Sequence, residues 1–472
     1  MNNKATNFIK NFSYTVTSNL IALVVSTLVI LIIPKLIGVE EYGYWQLYLF
    51  YSSYVGFLHF GWSDGIYLRY GGKEYKELDK GIFFTQFYMM VILQVIIAVG
   101  ISFIPSIFLE NQNRIFIFRM VAVNLLIMNI LSVLLLILQA TNRIKEYAQI
   151  TIISRILYVF LVVAFLVIGV REYKLMIVSD LIGKLISLFY AIYCCRDIVF
   201  RKISTFYFSF REAVENISVG IKLMFANIAS MLIIGVVRFG IERSWNVKTF
   251  GKISLTLSIS NLMMLFINAI GIIMFPILRR TDEKKLPSIY ITMRDLLMVV
   301  LLGALIIYYP LKLILSEWLP KYADSLMYMA LVFPMCVFEG KMALLINTYL
   351  KTLRKEEMML KINLVSLTSS IVLTFITTIL FKDLNLAIAS IVILLALRCS
   401  LAEMVLSKIL AISSYKGIVL ELMMTLIFIL TGWFVNSLLA ILLYIVAYIM
   451  YLAIKRKDIT KAIKNIKLLM EA

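Results

Sequence analysis

Residues 385–409 read NLAIASIVILLALRCSLAEMVLSKI. About 20 consecutive apolar residues are what an α-helix needs to cross the ~30 Å hydrocarbon core of a bilayer. This stretch has that length and composition, yet it holds Arg398 near its middle and Glu403 further on. A charge at bilayer depth costs about 2.5–3.5 kcal/mol on insertion scales. A chain that keeps one therefore turns it toward a partner or a polar path.

The pattern recurs along the chain. Arg119, Arg155, Lys184, Lys222, Arg294 and Lys341 also stand inside stretches that otherwise read as lipid-soluble. Of the 472 residues 62% are hydrophobic, against about 45–50% in a soluble domain. The mean hydropathy of +0.94 agrees with an integral membrane protein. Runs of membrane length bounded by charge or turn residues give about 14 spans. They lie near 12–37, 44–63, 82–109, 115–140, 147–169, 173–194, 216–240, 250–277, 288–309, 325–349, 359–380, 385–409, 417–434 and 437–454. The expected fold is an all-α polytopic membrane protein. Lys4 and Lys10 precede the first span without a small-x-small cleavage pattern, so that span reads as a retained helix.

The net charge of +19 does not indicate nucleic acid, because Lys and Arg sit in short seams between spans rather than in a basic domain. Sorted onto alternating sides, most of them fall with the two termini. That set includes Arg69, Lys73, Lys76 and Lys80, then Arg143 and Lys145, then Arg196, Arg201, Lys202 and Arg211. Further along it includes Arg279, Arg280, Lys284 and Lys285, the Lys351–Lys361 cluster, and Lys408 and Lys416. The positive-inside rule then puts both termini at the cytoplasmic leaflet, with Arg238, Arg243, Lys248 and Lys252 as the exception. Between Lys455 and Lys467, Ile459, Ala462, Ile463 and Ile466 recur at helical spacing among lysines. They predict a short basic amphipathic helix on the anionic lipids of that leaflet.

Several functions are excluded or weakened by what the seams contain. None is long enough for an ATP-binding domain, and no phosphate-binding glycine loop occurs. Cys194, Cys195, Cys336 and Cys399 lack metal-site spacing and read as packing residues. His59 is the single histidine, so no multi-histidine metal site can form. No cofactor, metal site or catalytic residue is expected. A membrane polysaccharide polymerase would need a large outer loop, and the longest one, near 308–325, is short.

The chain also carries an internal echo. Val39-Glu40-Glu41-Tyr42-Gly43-Tyr44-Trp45-Gln46-Leu47 matches Val247-Lys248-Thr249-Phe250-Gly251-Lys252-Ile253-Ser254-Leu255 in its aromatic-Gly turn between spans. Spans 1–6 and 7–12 would then be parallel repeats about an axis along the membrane normal, with a central cavity between two bundles.

At these residues the chain resembles a known family. Pro34-Lys35-Leu36-Ile37-Gly38-Val39-Glu40-Glu41-Tyr42-Gly43, followed by Phe60-Gly61-Trp62-Ser63-Asp64-Gly65-Ile66-Tyr67-Leu68-Arg69-Tyr70, is similar to the opening of Wzx-type polysaccharide flippases. Phe206-Tyr207-Phe208-Ser209-Phe210-Arg211-Glu212 and Gly220-Ile221-Lys222-Leu223 resemble their linker and seventh span. These flippases belong to the multidrug/oligosaccharidyl-lipid/polysaccharide exporter superfamily. The resemblance implies two six-helix bundles related by a pseudo-two-fold axis, at 1–195 and 216–410. A cytoplasmic linker at 196–215 joins them, and 411–472 adds two helices and the basic tail. It also implies alternating access and export of a polyprenyl-pyrophosphate-linked glycan for O-antigen or capsule, with polysaccharide assembly proteins as partners.

Phosphate charge must cross the hydrocarbon layer in such a task. Arginine offers a bidentate fork to phosphate and lysine a mobile point charge. Lys184, Lys341 and Arg398, near the middle of their spans, and Arg155, a few turns from the cytoplasmic end, are the expected substrate-binding residues. Arg119, Lys222, Arg238 and Arg294 lie nearer span ends, where a long side chain can reach water. Asp180 and Glu339 are the candidates for holding a coupling proton or cation, with Glu403 beside them. Asp180 and Lys184, four apart on one helical face, fit an ion pair as well as they fit a substrate contact. The other reading of the same superfamily is a cation-coupled multidrug antiporter. The first span argues against it, since it has no carboxylate.

Overall fold

The computed structural model describes residues 3–279, 285–435 and 437–471. Arg280 and Lys284 of the expected basic seam lie outside them. The described residues are almost entirely helical, and 12 of the helices are long and apolar enough to cross a membrane. The chain is a multi-pass membrane protein. Two of the expected spans are absent from that dozen. One is the segment expected at 44–63, which is broken. The other, at 250–277, is a continuous helix that falls partly beyond the residues described in full.

The chain forms two compact units, Met1–Ile228 and Ala229–Ala472. The first holds α1 (Asn3–Leu36), α2 (Val39–Ser52), α3 (Trp62–Tyr70), α4 (Lys80–Phe108), α5 (Gln112–Ala140), α6 (Ile144–Val167), α7 (Tyr173–Cys194) and the short α8 (Arg196–Val199). Helix α9 (Phe210–Ser244) begins in the first unit and continues into the second. There follow α10 (Val247–Arg279), α11 (Leu286–Ala304), α12 (Tyr308–Trp318), and four short pieces that succeed one another: α13 (Ala323–Leu326), α14 (Met329–Val332), α15 (Met335–Lys341) and α16 (Asn347–Thr352). The chain ends in α17 (Glu356–Thr374), α18 (Leu384–Ile409), α19 (Tyr415–Phe434) and α20 (Leu438–Glu471).

Helix ends are marked by short polar side chains at the seams. Asp79 accepts from the amides of Gly81 and Ile82 at the start of α4, and Asn111 accepts from Arg114 at the start of α5. Asp383 does the same for Asn385 and Leu386 at α18. Each satisfies amides that the first helical turn leaves unpaired. The two halves of the sequence echo, Val39 and Val247, are the first residues of α2 and α10. Their aromatic residues Tyr42 and Phe250 are both buried. The likeness ends there, because α2 stops after 14 residues whereas α10 runs for 33.

The break after α2 has a physical basis. A 3₁₀ turn at Val55–His59 and the left-handed pair Phe60 (φ 53°) and Gly61 (φ 79°) separate α2 from α3. Carbonyls released by the break are met by neighbouring helices. The Asn129 amide donates to the Val55 carbonyl at 3.0 Å, and Gln94 donates to Leu58 at 3.1 Å. Asn129 also donates to Gln94 at 2.6 Å, closing the set. Irregular backbone at membrane depth persists only where protein groups satisfy it in this way.

After the break, α3 crosses the first half of α9 almost backbone to backbone. A Cβ on Gly65 would lie 1.8 Å from the Asn216 carbonyl oxygen, and one on Gly220 would lie 1.9 Å from that of Gly61. The crossing is sealed by Arg69, which donates to Glu212 at 2.5 Å, Asn216 at 2.6 Å and Glu215 at 2.9 Å. Tyr70 joins it with a 2.8 Å bond to Glu212.

In the second unit the span Met329–Thr352 is the most enclosed, with 89% of its apolar window buried, against 17–61% elsewhere. Its helix α15 packs on α10, α11 and α18. The last two helices are integral to this unit, α20 lying along α11 and α19 against α14. The expected separate tail helix is not one: α20 continues without interruption from Leu438 to Glu471. Among the tail's expected apolar positions Ala462 is buried and Ile463 exposed.

Candidate functional site

Each unit contains a cluster of charged side chains inside its apolar helices. In the first unit α7 supplies Asp180 and Lys184, one helical turn apart. Lys184 Nζ donates to Asp180 Oδ2 at 2.5 Å and to Asn124 Oδ1 of α5 at 2.9 Å. Tyr48 of α2 donates its hydroxyl to the same Asp180 oxygen at 2.8 Å. The pair is only half-buried, with 18% of the Lys184 side chain and 15% of Asp180 exposed. A cation and its acid thus remain within reach of a ligand while three helices position them. Arg155, midway along α6, is exposed and has no ion pair among the described residues.

The second unit has the denser cluster. Lys341, at the end of α15 and just before the π turn Met342–Ile346, bonds to Glu403 of α18 and, at 2.5 Å, to Glu421 of α19. Glu403 also faces Arg294 of α11 at 3.7 Å, and Arg294 pairs with Asp295 at 3.1 Å. Asp295 in turn meets Lys455 of α20 at 3.3 Å. Three buried cations, Lys341, Arg294 and Lys455, thereby face three buried carboxylates, Glu403, Glu421 and Asp295, and Lys455 also reaches the exposed Asp458 at 3.0 Å. All six side chains are within 10% of full burial.

Next to this network, Arg398 of α18 uses its whole fork. It donates to Glu339 at 2.8 Å, Asn363 of α17 at 3.0 Å and Ser230 of α9 at 2.7 Å. The Glu339 side chain is 24% exposed, whereas that of Arg398 is 3% exposed.

Four expected cations therefore separate into three situations. Arg155 is exposed, Lys184 is half-buried against Asp180, and Lys341 and Arg398 are enclosed with carboxylates. The coupling candidates Asp180 and Glu339 each hold one of those cations. Glu339 and Lys341, two residues apart, take different partners: Glu339 meets Arg398 of α18, whereas Lys341 meets Glu403 of α18 and Glu421 of α19. Arg294 differs from expectation: its side chain is 6% exposed and does not reach water, because α19 and α20 cover that end of α11. Lys222 and Arg119 are exposed, and Arg238 stands over the Phe250 ring at 5.5 Å and bonds Ser254.

Two members of the second cluster were not singled out from the sequence. Glu421 is the single carboxylate in its span, which was a legible signal. Lys455 was grouped with the tail, and only the packing of α20 along α11 brings it to Asp295.

Residues 32–315 match the polysaccharide biosynthesis protein family, which is more than half of the chain. The chain belongs to that family.

Among solved structures, lipid II flippase MurJ in its inward closed conformation aligns with a TM-score of 0.65 at 13% identity, over 96% of this chain and 100% of that one. A multidrug resistance MATE family transporter of the MOP superfamily, in an inward-facing conformation, gives a TM-score of 0.60 at 11% identity over 89% and 100%. At such identities the likeness is one of fold. No curated protein matches the sequence. This family member thus has the helical architecture seen in a flippase and in drug transporters, with its membrane-embedded charges arranged as described above.

Proposed function

We propose that the protein is a flippase that moves polyprenyl-pyrophosphate-linked oligosaccharide units from the cytoplasmic to the outer face of a bacterial inner membrane, by alternating access, for O-antigen or capsule assembly. The observation that carries this reading is the conjunction of a polysaccharide biosynthesis family with a fold shared with a lipid II flippase. Lys184 and Arg155 are the cations with room to meet a pyrophosphate, and Asp180 would hold Lys184 between transport cycles. Lys341 and Arg398, in this reading, keep the second unit together, and Glu339 is the acid beside them with most access for a coupling ion.

A cation-coupled multidrug antiporter is the competing reading, favoured by the MATE-like fold. It predicts an acidic rather than a basic cavity. Asp180, Glu339, Glu403 and Glu421 each already have a Lys or Arg.

Deletion of the gene tests the proposal. Undecaprenyl-linked repeat units should accumulate on the cytoplasmic face while surface polysaccharide falls. Normal surface glycan without that accumulation would refute flipping, and a cationic-drug sensitivity in its place would favour the antiporter.

A further inference from the structure

A pocket of about 440 Å³ opens at one end of the first unit, where α6 starts, α7 ends and α8 begins. That size falls within the ~300–1,000 Å³ of small-molecule sites. It is lined by Arg143, Lys145, Arg196 and Glu146 among its charged groups. Three cations against one carboxylate leave an excess of two positive charges.

The four charges are not equivalent. Arg143 is committed to the frame: its Nε and Nη2 both bond Glu146 Oε1, at 3.0 and 2.8 Å, and its Nη1 donates to the Cys194 carbonyl at 3.0 Å. Glu146 is neutralised in place by the same contacts. Lys145 and Arg196 are exposed and have no carboxylate partner among the described residues. The neighbouring Asp197 is turned away, held by the Tyr75 hydroxyl at 2.6 Å and by Lys80 at 3.6 Å. Arg196 lies instead over the Tyr193 ring, 5.5 Å from its centroid. The Tyr190 hydroxyl donates to Gln149 Oε1 at 3.1 Å, which leaves the Gln149 amide free to donate into the pocket.

One wall continues down the helix. Tyr193, Phe189 and Leu185, at successive four-residue steps on α7, are all exposed. They form an apolar stripe that leads from the charged pocket along a membrane-spanning helix. A recess with two excess positive charges, joined to such a stripe, suits an amphiphile with two negative charges at its head and a hydrocarbon tail in the bilayer.

We propose that this pocket binds the pyrophosphate of a polyprenyl lipid, Lys145 and Arg196 contacting its two phosphates and the Tyr193–Phe189–Leu185 stripe taking its first isoprene units. The assignment rests on the flippase reading for the source of such a lipid, and on the positive-inside orientation, which makes this end of the unit cytoplasmic. It would serve as a docking station on the loading side, apart from Lys184 and Arg155.

The test measures binding of geranylgeranyl pyrophosphate to the full-length protein in phosphatidylcholine nanodiscs. Wild type should bind it at least tenfold more tightly than geranylgeranyl monophosphate, phosphatidylglycerol or inorganic pyrophosphate. The double variant Lys145→Gln/Arg196→Gln should lose at least tenfold in affinity at unchanged thermal stability. Tyr193→Ala should weaken the lipid and leave inorganic pyrophosphate unaffected. Unchanged binding in the double variant would overturn the site. Equal competition by phosphatidylglycerol would overturn it too, as a general anionic-lipid surface. Because binding is read without transport, a deletion strain with normal surface glycan would refute the flippase while a binding loss in the variants upheld the pocket.

Discussion

Replacing Lys341 by methionine tests the second unit's charge network most sharply. At an effective dielectric of about 20, a unit-charge pair 2.5 Å apart has a gross attraction of about 7 kcal/mol, and one 3.7 Å apart about 4.5 kcal/mol. Removing Lys341 leaves Glu403 with Arg294 at 3.7 Å but takes from Glu421 its ion-pair partner. Breaking one side of a buried pair typically costs about 3–5 kcal/mol, because the surviving charge stays desolvated. Lys341→Met should therefore lower stability by about that amount. Glu421→Gln should cost much less, since Lys341 keeps Glu403. The double variant Lys341→Met/Glu421→Gln restores the balance to two cations and two carboxylates and should recover about 2 kcal/mol or more of the single-variant loss. Thermal unfolding of the four proteins in one detergent, with their steady-state level in membranes, reads this directly. A Lys341→Met protein as stable as wild type, or a double variant no better than the sum of the singles, would refute the ion-pair account.

Arg398→Lys keeps a charge for Glu339 but cannot reach Asn363 and Ser230 at once; two lost hydrogen bonds predict about 1–3 kcal/mol of destabilisation in a melting assay. Gly65→Ala drives a methyl group into the Asn216 carbonyl and should separate α3 from α9, with a loss of about 1–3 kcal/mol and faster proteolysis between residues 53 and 61. Burial pushes the Cys195 thiol up to about 12, so the reactive thiolate is scarce below that pH, and a maleimide should leave Cys195 unlabelled at pH 8 in folded protein and label it after denaturation. Mass spectrometry of the labelled peptide checks the last of these.

The sequence by itself determined the class of the molecule. Apolar runs of membrane length can satisfy their backbone only as helices, so the span positions follow from composition. Stranded cations were visible for the same reason, since lipid offers them no hydration. Asp180 and Lys184 were legible as a pair because helical spacing alone puts residues four apart on one face. The family resemblance, read from the turn residues after Pro34, agreed with the match over residues 32–315.

Tertiary structure decided what each charge does. Lys341 finds Glu403 and Glu421, 62 and 80 residues away, and no local rule connects them. Arg294 was expected to reach water, but α19 and α20 cover it, and that packing brings Lys455 onto Asp295. Breaking the second span required Asn129 and Gln94 from other helices to meet its free carbonyls, which a one-dimensional hydropathy pattern does not contain. The depth of a charge is written in the run of residues around it. Its partner, and therefore whether it stays available to a ligand, depends on which helices fold against it.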